Sequence, residues 1–139
     1  MRKVKLLFVA LIVASIAFSG CKKYEEGPSL SLRTKTARIT GEWKIVKQLY
    51  NGVEVALDAE DKSMIMDIQK DGIFIMKNSY GNFSGNWEFN SDKTKLIISF
   101  SILGQTSRSE ATILRLTNKE LFTEEVKDGN KTRTELEKI

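Results

Sequence analysis

The chain has 139 residues, room for one domain and a short leader but not for two cores, and its 41% hydrophobic and 29% charged content fits a globular chain. The formal charge of +4 comes largely from Arg2, Lys3 and Lys5; beyond them 19 basic and 18 acidic side chains nearly cancel, and no stretch gathers Lys and Arg with aromatics, so nucleic acid is excluded as the expected partner. There is no histidine, which removes the commonest metal ligand and the commonest general base together.

Residues 1–5 are cationic, and Leu6 to Ala17 form a largely apolar run of 12 residues. As a helix such a run spans about 18 Å, well short of a bilayer core of about 30 Å. A basic start, a short apolar stretch and the small pair Ser19-Gly20 predict a secretory signal over residues 1–20. Cys21 follows directly and is the only cysteine, so no disulfide forms within the chain.

The segment "FSGC", residues 18–21, resembles the bacterial lipobox, in which the cysteine sulfur receives a diacylglycerol before cleavage; Phe18 stands where an aliphatic residue is usual. The resemblance implies lipidation at Cys21 and a membrane partner reached through that N-terminal anchor. The simpler alternative is an ordinary signal followed by a stray free thiol, a liability in an oxidising compartment. Each buried methylene contributes about 0.8 kcal/mol, so two or three acyl chains hold a protein almost permanently. Lys22, in place of an Asp after the cysteine, implies passage to the outer membrane in a Gram-negative envelope. Glu25-Glu26 resemble the acidic export tags of surface lipoproteins.

Residues 22–38 mix charges, Gly, Ser and the only proline, Pro28, without helical periodicity. They read, with Cys21, as a mobile or loosely docked tether over residues 21–38 that reaches up to about 55–60 Å when extended. From Ile39 the pattern becomes that of a half-buried strand: Ile39, Gly41, Trp43, Ile45 and Leu49 alternate with polar residues. Asn51-Gly52 is a hairpin signal, and residues 53–62 fit either a short strand and loop or one helical turn. Seven further strands follow at short, regular intervals: "SMIMDIQ", "IFIMKNSY", "NWEFN", "KLIISFSIL", "SRSEATILRL", "ELFTEEV" and "KTRTELEKI". Eight strands with hairpin-sized turns and a possible ninth near Val53 predict an all-β fold over residues 39–139, an antiparallel eight-stranded up-and-down barrel in which closure removes the edges. A sandwich is the alternative.

"TGEWKIVK", residues 40–47, is similar to the Gly-x-Trp opening strand of lipocalin-like proteins. "GNWEF", residues 85–89, and "LRLTNKELF", residues 114–122, resemble the middle and late strands of small lipocalin-like lipoproteins of Bacteroidetes. The resemblance implies a lipocalin-like barrel with structural roles for Gly41 and Trp43. It also implies a cation from the last strand over the Trp43 indole, for which Arg133 is the candidate by position.

In such a barrel the expected interior holds Trp43, Ile45, Met64, Met66, Phe74, Trp87, Phe89 and Phe100, with Ile98, Leu114, Phe122 and Val126. An eight-stranded barrel is either filled by these side chains or wide enough for one small apolar ligand, with Met64, Met66 and Met76 able to adapt to it. The last strand sets Thr132, Thr134, Leu136 and Lys138 against Arg133, Glu135, Glu137 and Ile139. It reads as a half-exposed closing strand or as the polar wall of a cavity. Glu124 and Glu125 point to opposite faces, the serines have no histidine partner, and "LDAEDK" at 57–62 lacks the spacing of a calcium loop. No catalytic residue, metal or cofactor is therefore expected. Two functions stay open: a carrier of a small apolar ligand, or an interaction module that engages another envelope protein.

Overall fold

The structure, a computed structural model, describes residues 24–27 and 31–139. The expected signal over residues 1–20 and the anchor at Cys21 lie outside the described residues.

Nine strands form one sheet: β1 (Gly41–Tyr50), β2 (Val53–Val55), β3 (Ile65–Ile68), β4 (Ile73–Asn78), β5 (Gly81–Phe89), β6 (Lys95–Ile102), β7 (Gln105–Leu116), β8 (Glu120–Lys127) and β9 (Asn130–Lys138). The order is β2-β1-β3-β4-β5-β6-β7-β8-β9, and an added β1–β9 pairing closes it. All pairs are antiparallel, and the short β2 touches only β1, so the closed barrel has eight strands. The up-and-down barrel expected from the sequence is the fold observed. Three hairpins turn on residues with left-handed backbone, Asn51 (φ 48°), Leu103 (φ 51°) and Asp128 (φ 51°), each followed by a glycine, the geometry that matches the twist of the flanking strands. Residues 53–62 supply both of the alternatives, β2 and a short helix α2 (Ala59–Ser63). Asp58 caps α2 in a reciprocal box with Asp61, which accounts for two carboxylates of "LDAEDK".

The β1–β2, β4–β5, β6–β7 and β8–β9 turns gather at one end, the mouth; the β3–β4, β5–β6 and β7–β8 turns mark the base. A helix, α1 (Lys35–Ile39), stoppers the base and is capped by Thr34, whose hydroxyl accepts from Ala37 N–H at 3.1 Å. Ile39 thus ends a helix instead of opening the first strand, which begins at Gly41. The packed core lies at this end. Ile39, Trp43, Leu116 and Leu121 are fully buried, with Ile68, Phe74, Leu96, Ile113 and Leu136 around them. Arg38 is buried among them, its Nη1 donating to Leu116 O at 2.7 Å and its Nε unpartnered among the described residues.

Within the stretch read as a mobile or loosely docked tether, Tyr24–Gly27 is docked against the barrel. Tyr24 is buried in the core cluster, and its hydroxyl donates to Lys93 O at 2.9 Å in the β5–β6 turn. Burial pushes the Tyr24 phenol up to about 12, with Arg38 pulling it back somewhat. Glu26 N–H donates to Leu114 O at 2.7 Å, and the Glu26 carboxylate takes both terminal nitrogens of Arg133. The cause is a bulge in β7 between Ile113 and Arg115. A bulge leaves a backbone carbonyl outside the ladder, and the Tyr24–Gly27 segment satisfies the one at Leu114.

Candidate binding cavity

Above the packed base the barrel holds a cavity of about 180 Å³. Leu96, Leu121 and Leu136, all members of the buried core cluster, reach it from below. Ile45, Met66, Ile98 and Ala111 add apolar wall, while Ser109, Thr123, Glu125, Thr132 and Thr134 add polar groups. The lining comes from β1, β3, β6, β7, β8 and β9 and not from β4 or β5. The reason is side-chain volume. Strands β4 and β5 bring Phe74, Trp87 and Phe89 inward, and these rings fill their side; Trp87 and Phe89 meet edge to face with centroids 5.4 Å apart. Strands β7 to β9 bring small residues inward at matching heights, so space is left against them. Two of the polar groups hold each other: Ser109 Oγ donates to Glu125 Oε1 at 3.0 Å.

Of the interior residues expected from alternation, Ile45, Met66 and Ile98 line this cavity. Trp43, Phe74 and Trp87 are packed core, with Phe89 and Met76 against it. Met64 is the half-buried C-cap of α2 and does not line it. Phe100 shares the inward face of β6 but lines a separate hollow at the β6–β7 hairpin with Ile102 and Leu103.

Three positions are corrected. Phe122 faces outward, between the inward Leu121 and Thr123, with the guanidiniums of Arg133 and Arg115 over its ring at 5.2 and 5.8 Å. Val126 lies on the same outer side of β8 and is 60% exposed. Leu114 is the extra residue of the β7 bulge and lies outside the core cluster, beneath the docked segment. At Phe122 and Leu114 the outer wall is covered by arginines and by residues 24–27 and is not a purely solvated face, whereas Val126 is left in solvent. For the last strand the polar-wall alternative holds: Thr132 and Thr134 line the cavity.

The cation over Trp43 is also corrected. Arg133 stands opposite Leu49 on the outer wall, engaged with Glu26 and Glu135. Lys138 is the residue paired with Trp43 in register, and its Nζ sits 4.7 Å from the indole centroid. Odd and even positions of a strand face opposite ways, so Lys138 shares the inner side with Leu136 and Arg133 does not. Lys138 Nζ also donates to Arg38 O and Thr40 O, both at 2.7 Å, at the C-terminal end of α1 where a cation is favoured. Burial pushes its pKa down, helped by the Arg33 charge. Trp43 Nε1 donates to Ile39 O at 2.7 Å. Gly41, in left-handed backbone at φ 133°, lets the Lys138 stem cross: a Cβ there would lie 3.2 Å from Lys138 Cε.

A closed eight-stranded barrel with a Gly-x-Trp opening strand, a helix across its base and a small internal cavity defines the lipocalin-like class. The lipocalin-like domain family matches residues 39–122, more than half of the chain, and the chain belongs to that family. Among solved structures the fold is similar to that of insecticyanin from the tobacco hornworm Manduca sexta, with a TM-score of 0.58 and 15% identity over 85% of this chain and 68% of that one. No curated protein matches the chain.

Proposed function

We propose that this chain is a non-catalytic binding protein of the bacterial cell envelope, of the Bacteroidetes lipoprotein type. Cys21 carries the lipid that holds it to the outer membrane, and the barrel carries or sequesters a small apolar molecule. The observation that carries the binding reading is the cavity of about 180 Å³ above the core, walled largely by aliphatic side chains. An apolar cavity of about 150 Å³ is enough to hold benzene, whereas drug-sized ligands occupy about 300–1,000 Å³. The guest is therefore the size of one ring or a short chain. Native mass spectrometry of the chain extracted in mild detergent tests this: a small molecule should travel with the folded protein and leave on unfolding. Ala111→Phe, which adds a ring of the size the cavity accepts, should remove it. Replacing Cys21 with Ala should release the protein from membranes, and unchanged retention would end the anchor reading.

A second reading, an interaction module engaging another envelope protein, is favoured by the lip of the barrel. Leu103 is 99% and Tyr80 83% exposed there, with Tyr50, Val53 and Ile102 exposed to a lesser degree. Crosslinking in intact envelopes through residue 80 or 103 should capture one reproducible partner under this reading, and only scattered adducts under the first.

A further inference from the structure

The cavity is not uniformly greasy, and its one carboxylate is placed to choose a ligand. Glu125 lies on the inward face of β8 and lines the cavity together with Ser109, Thr123, Thr132 and Thr134. Ser109 satisfies Oε1; no Lys or Arg among the described residues forms an ion pair with this carboxylate, and Oε2 has no hydrogen-bond partner among them. Lys127, two residues on along the same face, is exposed at the end of β8. The contrast with Glu124 is direct, since that neighbour faces outward and pairs with Lys131 at 3.4 Å. The opposite side of the cavity is Ile45, Met66, Leu96 and Ile98.

This carboxylate is half-buried beside apolar wall, has a single neutral donor and no paired cation among the described residues, and leaves its second oxygen to water. A cation supplied by a guest gains a charge-assisted hydrogen bond there, and an anion is repelled, so the same group attracts one class and rejects another. Resting on the reading of the cavity as a ligand site, we infer that the preferred guest is a small organic cation. It has an apolar body of about one ring, seated against Ile45, Met66 and Ile98, and a primary ammonium directed at Glu125, with the threonine hydroxyls accepting its remaining N–H donors.

The test uses three water-soluble probes with one ring each: benzylammonium, benzyl alcohol and benzoate. They are titrated calorimetrically into the full chain, into Glu125→Gln and into the outer-face control Glu124→Gln, with thermal melts to verify folding. Benzylammonium should bind at least tenfold more tightly than benzyl alcohol, and benzoate weakest. Glu125→Gln should bring benzylammonium down to the level of benzyl alcohol while benzyl alcohol is unchanged, and Glu124→Gln should leave the order intact. Benzyl alcohol binding as well as benzylammonium, or a cation preference that survives Glu125→Gln, overturns this inference and leaves the apolar site standing. Binding of none of the probes overturns the site reading and the inference together.

Discussion

Lys138→Met separates the observed base of the barrel from the one the sequence suggests. Methionine keeps the apolar stem that crosses Gly41 and removes the ammonium, with its two 2.7 Å bonds to Arg38 O and Thr40 O and its place over Trp43. Hydrogen bonds from a charged donor contribute about 1.5–3 kcal/mol each, and a cation over an aromatic face about 0.5–2 kcal/mol. Against this stands the cost of keeping an ammonium out of water, the same cost that pushes its pKa down. The net loss should be about 2–3 kcal/mol, roughly 6–12 °C in melting temperature for a domain of this size. Urea unfolding should show the midpoint falling at constant slope. In a Trp87→Phe background, where Trp43 is the only indole, its emission should change as well. Arg133→Met removes the ion pairs to Glu26 and Glu135 and the guanidinium over Phe122, all on the outer wall, and should cost about 1–2 kcal/mol without touching Trp43 emission. If Lys138→Met melts with the wild type while Arg133→Met alters the indole signal, the assignment of the stacking cation is wrong.

Two further perturbations probe other joints of the structure. At Gly85 a Cβ would collide with the Ser99 carbonyl oxygen and lie 2.9 Å from Phe100 Cβ, contacts that backbone pairing of β5 with β6 cannot relax. Gly85→Ala should therefore destabilise by about 2 kcal/mol despite its better strand propensity, and an unchanged denaturation midpoint counts against that register. Tyr24 is an acid whose folded-state pKa is raised to about 12, so its contribution is complete below pH 10 and fades as pH climbs through about 12. Wild type should lose up to about 2 kcal/mol relative to Tyr24→Phe between pH 9 and 12, and parallel pH profiles for the two proteins would place Tyr24 in water.

Much of the barrel is legible in the chain because hairpin turns and period-two alternation are local signals. Asn51-Gly52, Asp71-Gly72 and Asp128-Gly129 punctuate it, and strands such as "KLIISFSI" show their buried face openly. The cavity is much less legible. Alternation nominates the largest apolar side chains, and those fill space: Phe74, Trp87 and Trp43 became core. The void opened where inward residues are small, at Ser109, Ala111, Thr123, Thr132 and Thr134. A search for small residues at successive inward positions of "SRSEATI", "FTEEV" and "KTRTEL" would have found it. In "ELFTEEV" the more apolar side, Phe122 with Val126, is the outer one. The arginines over Phe122 are held by Glu26, almost a hundred positions earlier, which no local pattern reports.

The docking of Tyr24 has a consequence for posture. Only Lys22 and Lys23 lie between it and Cys21. Three extended residues cover about 10–11 Å, a fraction of the reach that a free tether of this stretch would have. A lipid on that sulfur would hold the barrel close against its leaflet instead of on a long lead. Tyr24 is seated at the closed end, so the open end, with Tyr80 and Leu103 at its lip, would face the aqueous side. A guest would then arrive from solution and not from the bilayer beneath.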